Sequence, residues 1–202
     1  MNYSDKVYEI LNSVDFSLKL EQISVTYPNL KQENVIRNLV LEIFNKKYST
    51  DTIRAFAEHP RISKINLTNS SKTKERTDLS MVSIHDLENP FKIEFKFHYT
   101  KHSKAFLNYA DTIIMQFIER KCSMFILIVV DMDIASKNSF DAIWGIDTHL
   151  EKYQSKGSNW KTNLENCFND AAISTQTTYL KPVGIPVTKP YLITYNFYVL
   201  TK

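Results

Sequence analysis

Three residues near the middle of the chain have types and spacing that could do chemistry together: Asp78, then Glu94 and Lys96 in an acid-x-lysine arrangement. Two carboxylates converging on one spot bind a hard divalent cation, and Mg²⁺ typically takes one or two carboxylates while keeping several waters. An ammonium beside them can orient a water or neutralise the charge that builds up on a phosphate under attack. Phosphodiester hydrolysis needs those parts.

For the three to meet, local structure must bring them to one face. Residues 78–84 and 91–98 read as strands joined by the turn-rich His85-Asp86-Leu87-Glu88-Asn89-Pro90. In the second strand Phe91, Ile93, Phe95 and Phe97 alternate with Lys92, Glu94, Lys96 and His98, so one face is apolar and the other ionisable. Core burial requires Leu79 and Met81 to share the phenylalanine face. The register this suggests sets Leu79 opposite Phe95, Met81 opposite Ile93, Asp78 opposite Lys96 and Ser80 opposite Glu94, whereas a slip of one residue would turn Leu79 and Met81 away.

The surrounding elements follow from periodicity. Residues 4–11 and 30–48 read as helices, the second with Val35, Ile36, Leu39, Val40, Ile43 and Phe44 at helical spacing. A short helix is expected from Thr50, capped by Thr50 or Asp51 and ended by His59-Pro60. A first strand is expected over 62–67, then a polar loop over 68–74. Residues 103–120 carry Phe106, Ala110, Ile113 and Phe117 in one helical row. Residues 124–130 have no polar alternation, as in an interior strand covered on both faces and reached by a helical crossover. Beyond it the pattern suggests a helix near 140–153, a loop around Gly157, a helix over 161–172 and a terminal strand over 191–200.

Composition narrows the classes. A chain of 202 residues fits one domain that can bury a core without disulfides or a structural metal, and 43% apolar with 23% charged residues excludes a disordered tail. Its longest apolar run, 124–130, is too short to span a bilayer, so no membrane role is expected. Gly145, Gly157 and Gly184 are the only glycines and lie too far apart for a phosphate-cradling loop or dinucleotide fingerprint. The opening Met1-Asn2-Tyr3-Ser4-Asp5 lacks a basic and apolar leader, which makes the cytoplasm the expected compartment. Cys122 and Cys167 have no C-x-x-C spacing and read as buried or incidental thiols.

Net charge is +3, but between His59 and Lys104 nine lysines and arginines stand against five acids, which suits a polyanionic partner. That segment contains the acid-x-lysine strand.

Taken together, the upstream acid, the acid-x-lysine strand, the crossover helix and the interior strand resemble the PD-(D/E)XK nuclease superfamily, over roughly residues 33–130. The resemblance implies an α/β fold with a restriction-endonuclease-like core: helix, three antiparallel strands, helix, strand, in a mixed central sheet flanked by helices. It implies a single nuclease-like domain with its core at about 30–131 and a C-terminal third available for recognition or dimerisation. The family's motif acid would be Asp78, its second acid Glu94 and its lysine Lys96, with Asp78 and Glu94 holding Mg²⁺. A further acid often comes from the first core helix, here Glu33 or, failing that, Glu42. Thr77 stands where the family often has proline. The implied activity is a Mg²⁺-dependent endodeoxyribonuclease of restriction type acting on double-stranded DNA, and two-strand cutting implies a homodimer. Lys72, Lys74, Arg76, Lys101 and Lys104 would then position DNA phosphates.

Two alternatives stay open: a non-catalytic nucleic-acid- or protein-binding module with the same fold, and a repair or recombination nuclease that recognises structure. Other candidates read more simply. His98 and His102 lack an H-E-x-x-H context and read as surface histidines. Asp131 and Asp133 are expected to solvate the exit of the interior strand. The aromatics of 140–144 and the tyrosines between Tyr179 and Tyr198 read as core packing, with base or partner contact the alternative.

Overall fold

The computed structural model describes residues 1–60, 76–100, 106–147 and 159–202. Helix α1 (Tyr3–Leu11) is capped by Asn2, whose side chain accepts the N–H groups of Ser4 and Asp5, and α2 (Val14–Thr26) by Ser13, which accepts from Phe16. Helix α3 (Glu33–Lys47) buries the predicted stripe of Ile36, Leu39, Val40, Ile43 and Phe44. Strands β1 (Ile53–Pro60), β2 (Arg76–Ser83) and β3 (Asp86–Tyr99) follow, then helix α4 (Tyr109–Ile118) and strand β4 (Met124–Met132). Helices α5 (Ile134–Trp144) and α6 (Asn159–Thr175) lead to strands β5 (Thr178–Val187) and β6 (Ile193–Thr201).

Among the described residues six strands form one mixed sheet in the order β1-β2-β3-β4-β6-β5. Within it β3 and β4 pair in parallel and the other neighbours are antiparallel. Parallel neighbours need a crossover, and α4 is the helix between them. The apolar run of β4 is explained by cover on both faces. Ile126, Ile128 and Val130 join the core built with α1, α2 and α3. Phe125, Leu127 and Val129 join a second core with Ile113 and Phe117 of α4 and Trp160, Leu164 and Phe168 of α6. Each such fully buried side chain contributes roughly 1.5–3 kcal/mol, so the two cores clamp the middle of the sheet.

Several expectations need correction. The segment from Thr50 is not a helix: Thr50 and Thr52 form a turn and β1 begins at Ile53, pairing from Ile53↔Ser83 to Pro60↔Arg76. Strand β1 lies beside β2; the strand expected over 62–67 and the loop over 68–74 fall outside the described residues. Helix α2 and strand β5 were not expected. Helix α4 starts at Tyr109, after a turn over 106–108, and residues 103–105 of the expected helix fall outside the described residues. In place of a helix beginning near 140, α5 begins at Ile134 and ends where Gly145 takes a left-handed φ of 62°; residues 148–153 and the loop expected around Gly157 fall outside the described residues. The C-terminal third, expected to be available for recognition or dimerisation, also completes the sheet: β6 pairs with β4 along its length, and Val183, Ile185, Phe197 and Val199 share the core of Ile36 and Phe44. Among the described residues no helix is long and apolar enough to cross a membrane.

Candidate active site

Alternation along β3 sorts its side chains as the sequence suggests. Ile93, Phe95 and Phe97 are buried in the α1–α3 core. Glu94, Lys96 and His98 occupy the opposite face, alongside Phe125, Leu127 and Val129 of the parallel neighbour. The hairpin register differs from the expected one by two residues: Leu79 pairs with Ile93, Ser80 with Lys92 and Met81 with Phe91. A two-residue shift preserves which face each side chain occupies. Continuing the ladder sets Asp78 across from Glu94 rather than Lys96, and the Asp78 carboxylate accepts the Phe95 N–H at 2.8 Å.

Glu94 is the most enclosed of the group, with 0% of its surface exposed. Its Oε2 accepts a hydrogen bond from the Arg120 guanidinium at 2.8 Å, while Oε1 is buried with no hydrogen-bond partner. Burial pushes the Glu94 carboxyl up to about 7, the negative charge of Asp78 pushes the same way, and Arg120 and Lys96 oppose both. Glu94 therefore feels the charges of Asp78, Arg120 and Lys96. Lys96 is half-buried and, among the described residues, makes no ion pair.

One step along the same face, His98 Nε2 lies 3.0 Å from the Tyr109 hydroxyl, and the ring meets Phe106 and Tyr109 edge-on. His98 is thus half-buried and engaged, not a plain surface histidine. The Tyr109 hydroxyl is pushed up by burial and then by the charge of Glu33. Glu33 opens α3 and pairs through its buried Oε2 with Lys31 at 3.2 Å. Glu42 does not join: it faces the groove between α2 and α3 and pairs with Lys19.

Glu58 was missed by sequence reasoning. The flanking pairs Ala57↔Leu79 and His59↔Thr77 set it across from Asp78, so three acids from neighbouring strands fall in one row. Its φ of 51° is left-handed, and its carboxylate goes to Arg37 of α3 instead of to Asp78. Arg120 was missed as well. The parallel register Glu94↔Phe125 brings the end of the crossover helix, just before β4, to the level of Glu94. A basic residue at that point of the chain was the available signal.

Among the described residues no group of three or more His, Cys, Asp or Glu converges; Asp78 and Glu94, level with each other on β2 and β3, are the two carboxylates that this face offers to a hard cation. Among the described residues the buried Oε1 of Glu94 has no hydrogen-bond partner, and on the same face Ser80 Oγ is likewise buried without one.

Of the residues expected to bind DNA, Arg76 is exposed at the entrance of β2, two positions from Asp78. Lys72, Lys74, Lys101 and Lys104 lie outside the described residues, as does His102. Asp133 does more than solvate the strand exit: it caps α5, accepting the Ser136 N–H at 2.7 Å. The aromatic segment near 140–144 is only partly core, since Phe140 packs on Tyr191 while Ile143 and Trp144 are exposed. Cys122 and Cys167 are free and buried, in keeping with their spacing. Compared with family models, with curated proteins and with solved structures, the chain matches none.

Proposed function

We propose that this protein is a Mg²⁺-dependent endodeoxyribonuclease of restriction type, built on a restriction-endonuclease-like core and cutting double-stranded DNA as a homodimer. The observation that carries the reading is the row on one sheet face: Asp78 and Glu94 side by side, Lys96 two residues on, and a buried Glu94 oxygen with no hydrogen-bond partner. The element order helix, three antiparallel strands, helix and strand supports the same reading.

Asp78 and Glu94 are the residues that would hold Mg²⁺, which when bound supplies charge neutralisation on a phosphate oxygen and a more acidic water. The chain's own groups do the rest. Burial of Glu94 excludes competing solvent from one side of the site, and the Phe95 N–H fixes the Asp78 carboxylate. Lys96 presents its ammonium to the attacking water and offsets the negative charge gathering on the phosphate. Arg76, exposed beside Asp78, contacts the DNA backbone without reading sequence.

The test is cleavage of mixed plasmid and phage DNA by the purified protein. Cutting is expected with Mg²⁺ or Mn²⁺ and none with EDTA. One observation favours a non-catalytic module instead: Arg120 already partners Glu94. DNA binding with no cleavage under any divalent metal would decide for the module, and cleavage confined to branched or nicked substrates would decide for a repair-type nuclease.

A further inference from the structure

The Arg120–Glu94 pair is lopsided. The Glu94 side chain is 1% exposed and the Arg120 side chain 44% exposed. Arg120 lies just beyond α4, where its backbone N–H donates a long 3.4 Å bond to the Met115 carbonyl. Its guanidinium sits at the surface on a long stem, whereas the Glu94 side chain is enclosed. A divalent cation held by Asp78 and Glu94 would face that guanidinium across a single carboxylate, and like charges at such separations oppose each other strongly where water is excluded.

We propose that Arg120 is a displaceable counter-ion: it holds Glu94 in the metal-free protein and yields it when a divalent cation binds, so that metal affinity is set by this competition. The proposal rests on the reading of Asp78 and Glu94 as metal ligands. Arg120 would then be a positioning residue for the resting site, keeping a buried carboxylate compensated until the cation replaces it. Removing one partner of such a pair leaves an uncompensated buried charge, which the incoming cation alone relieves. Deleting the guanidinium therefore tightens metal binding, although it removes an interaction of the resting protein.

The experiment is calorimetric titration of Mg²⁺ into metal-free wild type, Arg120→Ala and Arg120→Lys at pH 9, where protons compete little for the carboxylates. Arg120→Ala is expected to bind Mg²⁺ about tenfold or more tightly than wild type, with Arg120→Lys between them. Equal or weaker binding by Arg120→Ala, with Mg²⁺ still bound by wild type, overturns the competition and leaves the metal site standing. Absence of Mg²⁺ binding in both proteins overturns the metal site and the competition together. Where circular dichroism shows that Arg120→Ala does not fold, Arg120→Lys decides by the same criterion.

Discussion

Replacing Lys96 with alanine is expected to slow DNA cleavage by roughly 10²–10³-fold, the usual cost of removing one preorganised charge from a transition state. The protein should otherwise stay intact. Lys96 is half-buried and makes no ion pair among the described residues, so its loss strands no partner. Glu94 feels the Lys96 charge only after burial, Asp78 and Arg120, so the resting site is little disturbed. Cleavage rates with saturating Mg²⁺, taken beside melting curves and DNA-binding titrations, check this. A fall in rate with near-constant melting temperature and binding marks a group acting in the reaction. An equal loss of all three would mark a structural lysine.

The second large effect concerns Glu94 in the metal-free protein. Its carboxyl titrates at about 7 in the fold, pushed up by burial and then by Asp78, against an ordinary value near 4.5. Below the ordinary value both folded and unfolded chains are protonated and the group costs nothing. As pH rises from there, the unfolded chain releases its proton first, so stability is lost up to about pH 7 and stays lost above it. Glu94→Gln removes that loss. In EDTA the variant should match wild type near pH 4.5 and exceed it above pH 7 by roughly 2 kcal/mol, several degrees of melting temperature for a chain of this size. Arg120, nearly half-exposed, can turn to water when its partner becomes an amide. Mg²⁺ should then raise the melting temperature of wild type but not of the variant. A variant less stable than wild type at pH 8 would mean that the carboxylate is a structural anchor for Arg120.

The legible parts of the fold are those where burial writes a clear period. The continuous run of β4, the alternation of β3 and the stripe on α3 each announce their element; Glu94 and Lys96 follow from the β3 face, and Asp78 from the facing strand β2. The hairpin register was off by two because hydrophobic alternation specifies which face a residue takes but not which neighbour it meets. Both registers bury Leu79 and Met81 with the phenylalanines. Choosing between them depends on the turn and on the irregularity between Met81 and Ser83, neither of which shows in the apolar pattern. Strand β1 was read as a helix because Thr50 and Asp51 look like caps, yet Thr50 serves a turn instead. Helix α2 hid because it leaves Val14, Leu18 and Val25 exposed, which blurs its amphipathic stripe. Strand β5 hid behind Pro182, Gly184 and Pro186, residues that an edge strand tolerates. Arg120 could not be read locally at all, because it meets Glu94 only through the parallel pairing that α4 permits.

The most direct measurement is anomalous diffraction from crystals of the protein soaked in Mn²⁺, which reports where a hard divalent cation rests. The expected result is a single strong peak between the carboxylates of Asp78 and Glu94, with the Arg120 guanidinium turned away from Glu94. A peak seated elsewhere, with these two carboxylates bare and Arg120 still bound to Glu94, would contradict it.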